Sequence, residues 1–315
     1  MRKFVLLRTA QALLVFVFAT FVAYIALFEL GDPFASVGEK VLPPRTRAIL
    51  HETFGLDEPL PVQYLTFLGN LCTADLGIDF DRRRLVSDLL AEALPNTLRL
   101  AALAFALELL IGIGAGVLAA VRRASFWDTL VTTSTVVLMS IPPLVTATFL
   151  RDRLSGLRLS DITLFPTLPI AFGHEPHWAQ LLVLPAISMA AGSAAFTARL
   201  IRGSMLEVLE SDYVRMARAK GLAPRKVIFK HALRNALIPF ANLATINLGA
   251  LFGGALVVET VFQFPGVGYL FVRGLRDLNT PVLISIVAYS VIVFVVLIAL
   301  LDILCAYLDP RLRID

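Results

Sequence analysis

Charge is the scarcest commodity in this sequence. Asp, Glu, Lys and Arg make up 17% of its 315 residues, against ~25% in a soluble domain. Hydrophobic residues reach 57%, where ~45–50% is usual, and the mean hydropathy is +0.79. That balance excludes a soluble enzyme, a disordered chain and a fibrous one. Cysteine is nearly absent: Cys72 and Cys305 cannot build a disulfide framework or a cysteine-rich metal site. The four histidines, His51, His174, His177 and His231, are scattered; His174 and His177 share a loop but lack a third ligand, so no metal site is expected. There is no GxxxxGK[ST], HExxH or GxSxG motif. No repeat at solenoid periods and no low-complexity tract interrupts the chain.

Long apolar runs take the place of these features. A bilayer core of ~30 Å needs ~20 apolar residues in a helix. Six stretches meet this length: Thr9–Phe28, Leu100–Val121, Thr129–Leu150, Pro176–Ala198, Asn235–Val258 and Leu278–Leu301, with one charge among them, Glu108. Lipid offers the backbone no hydrogen bonds, so each stretch must be helical, and the fold class is an all-α polytopic membrane protein with six transmembrane helices. The first run reads as an uncleaved anchor. It follows Arg2, Lys3 and Arg8, but it is longer than a signal-peptide core of ~7–15 residues and no small-x-small cleavage site comes after it.

Basic residues fix the expected orientation. The N-terminal tail, the loop at Arg122-Arg123, the loop Arg199–Arg234 and the tail after Leu308 fall on one side and hold 16 of the 28 Lys and Arg. Positive residues accumulate on the cytoplasmic face, so both termini are expected inside. The net charge of +4 then reflects cytoplasmic loops and not nucleic-acid binding. The expected domains are an anchor helix 1–30, an extracytoplasmic insertion 31–93 with an amphipathic run at Leu60–Leu71, a five-helix core 94–308 with a cytoplasmic loop 199–236, and a tail 309–315. Arg151–Trp178 and Phe262–Thr280 are the other external loops, the latter with Pro265, Gly266 and Gly268 expected to break any helix.

Several residues stand out inside the spans. Gly112-x-x-x-Gly116 and Gly249-x-x-x-Gly253 have the spacing that lets helices approach closely, within the bundle or against a partner; Gly192-Ser193 reads as a small packing pair. Glu108 is mid-span and either faces a watery path or a partner, or is a hydrogen-bonded structural group. Asp302 reads as an interface anchor. Asn242, Thr245 and Gly249 make a polar stripe along the fifth span, which would line a path or join helices. Glu259, Phe262, Pro265 and Gly266 follow at its outer end and are candidates for an outer gate, the alternative being a simple tight turn.

The cytoplasmic segment Ser211–Pro239 is the most specific. Ser211 or Asp212 suits an N-cap, Lys220 the negative C-terminal end, and Gly221 the left-handed position beyond it. Pro224 suits the first turn of a second helix. Tyr213 and Ala217 lie one turn apart, with the small residue permitting close approach to a groove. The expectation is a capped helical hairpin with a cationic surface, which docks a soluble partner or, alternatively, binds anionic lipid.

Asp212-Tyr-Val-Arg-x-Ala-Arg-Ala-Lys-Gly-Leu222 followed by His231-Ala-Leu-Arg-Asn-Ala-Leu-Ile-Pro239 resembles the EAA loop of the dipeptide/oligopeptide/nickel permeases of ABC importers. Gly31-Asp32-Pro33, Gly55-Leu56-Asp57-x-Pro59-Leu60-Pro61-Val62-Gln63-Tyr64, Asp75-Leu76-Gly77, Glu259-x-Val-Phe262-x-x-Pro265-Gly266-x-Gly268 and Asp309-Pro310-Arg311 match in order. The long insertion after the first span resembles the B-type member of the permease pair. Arg215-Met216-Ala217 stands where the general consensus has Glu-Ala-Ala, and Arg151-Asp152-Arg153 stands where these proteins usually continue apolar. The resemblance implies a type I ABC importer transmembrane domain in the bacterial plasma membrane. Implied partners are a second homologous permease, two ATPase subunits, an extracytoplasmic binding protein and membrane lipid. ATP and Mg would sit on the ATPase subunits, with no cofactor on this chain, which hydrolyses nothing itself. Asp212–Ala219 would be the coupling helix, with Asp212, Tyr213, Arg215, Ala217, Arg218, Ala219, Lys220 and Gly221 as the ATPase-coupling residues. Peptides are the expected substrates; nickel chelates, glutathione and oligosaccharides are alternatives. A secondary transporter would need paired intramembrane carboxylates or matched broken helices, and an intramembrane enzyme a nucleophile–base pair.

Overall fold

A computed structural model describes residues 2–29, 36–37, 40–41, 45, 58–73, 75–79, 84–154, 158–159, 162–163, 178–277 and 279–308. Gly31-Asp32-Pro33, Gly55–Asp57, His174, His177 and the tail from Asp309 lie outside the described residues, as do the side chains of Asn242, Thr245, Cys72, Asp302 and Cys305. Helices dominate: α1 Arg2–Glu29, α2 Leu60–Cys72, α3 Val86–Val121, α4 Phe126–Ser140, α5 Pro143–Leu154, α6 Trp178–Leu209, α7 Asp212–Ala219, α8 over residues 224–236, α9 Ile238–Phe262, α10 Val267–Arg276 and α11 Thr280–Leu308. The strands are two residues each and pair as antiparallel hairpins, Ser36–Val37 with Lys40–Val41, Ile78–Asp79 with Arg84–Leu85, and Arg158–Leu159 with Ile162–Thr163. α1, α3, α6 and α11 are each long and apolar enough to cross a membrane, and two bent pairs raise the number to six.

The third apolar run departs from the expected single rod. It divides into α4 and α5, which meet at 102°. Pro142 and Pro143 cause the break. Neither supplies an N–H to the preceding turn, and Ile141, the residue before Pro142, is extended at φ −89°, ψ 122°, as steric contact with a proline ring demands. α5 then runs on through Arg151-Asp152-Arg153 to Leu154. α3 also exceeds its apolar run, starting at Val86 and continuing for 36 residues. It absorbs Pro95 and widens to a π-helical turn at Leu109–Ile113. The break expected over Phe262–Thr280 divides into a turn at Gln263–Gly266 and a second interruption at Asp277 and Asn279, with α10 between them, and Gly268 lies inside that helix.

The chain forms two compact units, residues 1–96 with 265–315, and residues 97–264. In the first, α1 packs along α11, and α2 rests on α1. Leu76, Val86, Leu89 and Leu90 bury against Val267, Leu270, Val282 and Ile286. Polar contacts fix this packing: Asn279 donates to Asp79 Oδ1 at 2.7 Å and Ser285 to the Leu76 carbonyl at 3.2 Å.

In the second unit α6 is the central helix, contacting α3, α4, α5 and α9. Hydrocarbon solvates leucine as well as protein does, so close backbone approach and hydrogen bonds must hold these helices together. Gly112 and Gly116 supply the approach. A Cβ on Gly112 would stand 2.8 Å from Thr197 Cβ and 2.9 Å from the Ala194 carbonyl oxygen; on Gly116, 2.6 Å from the Ala198 carbonyl oxygen. This glycine pair therefore serves α3–α6 packing inside the chain. Gly253 of the second pair has open space around it.

Candidate functional site

The cytoplasmic hairpin has the expected caps. α7 ends at Ala219 with Lys220 as its C-cap, and Gly221 follows at φ +74°. The Leu222 amide bonds back to Ala217 O at 3.4 Å and the Gly221 amide to Arg218 O at 2.9 Å. These two bonds form the Schellman arrangement, which consumes the last carbonyls of the helix and needs a left-handed residue at this point. Pro224 opens α8 in the first-turn position. α8 then passes through a π-helical stretch, Val227–Ala232, into Leu233–Ala236 and on to α9.

Two expectations are corrected here. Ser211 occupies the N-cap position, but its hydroxyl donates to the Val208 carbonyl at 2.6 Å and caps nothing. Ala217 does not share an outward face with Tyr213. It is buried beside Val214, in a cluster with Val117, Ile201, Met205, Val227, Ala232 and Ala236. Residues four apart on a helix of 3.6 residues per turn are offset by ~40°, and the edge of the buried stripe falls within that offset. In the aqueous loop, burial of side chains such as Val214 and Val227 contributes ~1.5–3 kcal/mol each. The exposed face is Asp212, Tyr213, Arg215, Met216, Arg218, Ala219 and Lys220, and Met216 is 58% exposed. Phe229 of α8 is also exposed. The Asn235 amide donates to the Tyr213 hydroxyl at 2.8 Å, tying α7 to the end of α8.

Charged contacts brace the base of this loop. Arg202 donates to both Asp128 oxygens, at 2.6 and 3.0 Å. Asp128 precedes the apolar run of α4 and also accepts from the Ala124 amide, while Ser125 accepts from the Asp128 amide. The Arg202 guanidinium, then the Ala124 N–H, hold the Asp128 carboxyl down to about 2. Arg123 pairs with Glu210 at 2.7 Å on the surface.

Within the apolar region two carboxyl groups among the described residues are fully buried. Glu108 lies just before the π-helical turn of α3; its Oε1 accepts from Thr197 Oγ1 of α6 at 2.7 Å and from Asn247 Nδ2 of α9 at 2.9 Å, and its Oε2 has no partner among the described residues. Three helices thus converge on one oxygen. Glu259 is not at an exposed mouth: it is buried, and Thr97 donates to its Oε1 at 2.7 Å. After it the chain turns. Gln263 adopts a left-handed conformation at φ 52°, the Phe264 amide bonds to the Glu259 carbonyl at 2.9 Å, and Arg151 donates to the Val261 carbonyl at 2.8 Å. Phe262 and Gly266 are buried and Pro265 is exposed; the Pro265 carbonyl accepts from Asn96 at 2.9 Å. Gly249 lies half-buried on α9. Sequence reasoning missed Thr97, Thr197, Asn247 and the Asp128–Arg202 pair. Asn247 was the legible one, an amide in the same apolar run as Asn242.

Residues 112–314 match the family described as binding-protein-dependent transport system inner membrane component, and residues 1–101 match its membrane-component N-terminal family. The chain belongs to this family. It is an ABC importer permease of the oligopeptide/dipeptide type and a multi-pass inner membrane protein. It is 34% identical over 325 residues to the oligopeptide transport system permease protein OppB of Haemophilus influenzae, covering 99% of this chain and 100% of the relative. OppB of Salmonella typhimurium is 33% identical over the same coverage. Among solved structures, a chain of the MetNI methionine ABC transporter in inward-facing conformations superposes with a TM-score of 0.55 at 22% identity, covering 70% of this chain and 96% of that one. That likeness supports the type I importer transmembrane fold.

Proposed function

We propose that the chain forms half of the translocation path for peptides, alongside a second homologous permease, two ATPase subunits and an extracytoplasmic binding protein. The peptide reading rests on the oligopeptide permease relatives. The permease hydrolyses nothing; ATP and Mg belong to the ATPase subunits. Both termini and α7 lie in the cytoplasm, a placement supported by the 16 basic residues on that side. Loop residues near Arg218 should resist an impermeant thiol reagent that modifies a cysteine near Asp57, and the reverse pattern would overturn the topology.

One observation carries the coupling role. α7 is short, capped at its C-terminal end and anchored through Val214 and Ala217, yet Tyr213 and Met216 on it and Phe229 on α8 are uncovered. Exposed apolar groups ringed by Arg215, Arg218 and Lys220 mark a docking surface. Asp212, Tyr213, Arg215, Met216 and Lys220 meet the ATPase subunit, while Ala217 and Gly221 hold the shape from within. A push on α7 passes through the buried cluster and the Asn235–Tyr213 bond into α8, and from α8 directly into α9. The α9 helix, with Gly249 on it, lines the path, and Glu259 with the Phe262–Gly266 turn closes its outer end. Met216→Asp should leave the permease folded in the membrane while reducing ATPase stimulation by loaded binding protein at least ~30-fold, the loss typical of an interface anchor worth 2 kcal/mol. Full stimulation would refute the docking assignment.

A further inference from the structure

α2 is built the wrong way round for a helix in water. Its 13 residues carry no charge. Two of its polar side chains, Gln63 and Tyr64, point at its neighbour: the Tyr64 hydroxyl lies 2.9 Å from Thr20 Oγ1 and donates to the Val17 carbonyl at 2.9 Å, and the Tyr24 hydroxyl donates to Gln63 Oε1 at 3.2 Å. The Gln63 amide is spent on the Glu58 carbonyl at 2.6 Å. Gln63 and Tyr64 are buried, whereas Leu60, Val62 and Leu65 are exposed, Leu65 by 66%. Thr66, on the outward face, folds its hydroxyl back onto the Val62 carbonyl at 3.0 Å, a local bond open to any helical threonine.

The depth of the contact is measurable along α1. Its apolar window runs Thr9–Ala26. Thr20 stands six residues inside the end at Ala26, about 9 Å at 1.5 Å per residue. The Tyr64 ring packs edge-on against Phe21 at 5.1 Å and Tyr24 at 5.8 Å, and Phe67 lies 5.6 Å from Tyr24. These aromatics form a belt of the kind that marks a membrane interface. Polar exposed groups lie at both ends of α2, Glu58 before it and Asn70 and Thr73 at its close. The exposed apolar face continues that of α1, where Leu13, Leu14, Phe18, Phe21 and Val22 are uncovered.

We infer that α2, assigned from sequence to an external domain, is an interfacial membrane helix, lying in the plane of the outer leaflet with Val62 and Leu65 against phospholipid acyl chains. An aqueous setting would leave Val62 and Leu65 exposed beside a satisfied polar core; acyl chains cover them at no hydrogen-bonding cost. The choice of leaflet rests on the proposed topology, and the acyl contact does not.

The test uses the assembled transporter in phospholipid nanodiscs, with Cys72→Ser and Cys305→Ser as background. A nitroxide is attached at Leu65→Cys, with Val62→Cys as a second site and Thr73→Cys as a water-facing reference. Paramagnetic relaxation by oxygen, which enters acyl chains, and by a soluble nickel chelate, which stays in water, reads the surroundings. At 65 and 62 the oxygen effect should exceed the chelate effect several-fold, and at 73 the order should reverse. Strong chelate relaxation at 65 and 62 would mean water or a soluble partner and would overturn the inference. Weak relaxation by both reagents would mean a covering protein and would also overturn it. Labelling of Thr73→Cys by an impermeant thiol reagent in sealed vesicles reads the leaflet separately, so failure of the topology and failure of the acyl contact give different results.

Discussion

Gly221→Val isolates the backbone from every other contribution at the coupling loop. Gly221 has φ +74°, and a Cβ placed there meets nothing within 4 Å. No clash confuses the outcome, so only the left-handed conformation is charged to the substitution. That conformation costs an L-residue ~1–2 kcal/mol, and a β-branched residue falls at the upper end. If the strained turn gives way, the two Schellman bonds from Leu222 and Gly221 go with it, each worth ~0.5–1.5 kcal/mol net. The correctly set loop carries the strain and the alternative forfeits the bonds, so the ~1–2 kcal/mol of strain sets the shift in the population of correctly set loops, ~5- to 30-fold at a factor of ten per 1.4 kcal/mol. Gly221→Asn is the control, since asparagine tolerates the left-handed region. In the reconstituted complex, Gly221→Val should lose ATPase stimulation by loaded binding protein and speed amide exchange across residues 212–222, while Gly221→Asn keeps most of both. Equal loss in the two variants would show that space, and not φ, matters at this position. Full stimulation in Gly221→Val would remove the hairpin geometry from the coupling argument altogether.

Other substitutions separate the remaining roles. Ala217→Asp places a carboxylate in the Val214–Ile201–Met205 cluster and should melt the loop, seen as faster proteolysis between 207 and 236, whereas Tyr213→Phe removes only the Asn235 bond at ~1 kcal/mol and should leave the fold intact. Gly116→Leu drives a side chain into the Ala198 carbonyl, 2.6 Å from the first added carbon, and should reduce the yield of assembled permease after detergent extraction; unchanged yield would refute the close α3–α6 contact. Glu108→Ala leaves the Thr197 and Asn247 donors without their shared acceptor, costing ~1–3 kcal/mol for each, while Glu108→Gln keeps the oxygen and should retain far more thermal stability. Glu259→Gln likewise keeps the acceptor of Thr97, so the complex should assemble with reduced uptake; normal uptake would make the segment a plain turn.

The sequence by itself determined what depends on composition and on local chemistry. The apolar runs predict membrane helices because lipid leaves no other way to satisfy a backbone. Gly221 and Pro224 predict the cap and the restart because positive φ and a missing N–H are properties of single residues. The coupling loop was recognisable for the same reason, its information being contiguous. Tertiary structure alone decided which neighbour each face meets. Ala217 and Tyr213 look equivalent on a helical projection, yet packing against Ile201 and Met205 buries one and leaves the other in water. Glu108 found its partners 89 and 139 residues away, Asp128 found Arg202 across 74, and Tyr64 reached back 47 residues to the Val17 carbonyl. Pairings at such separations are set by how helices cross, and in hydrocarbon that crossing depends on where backbones can touch and where polar groups can be shared, which no single segment encodes.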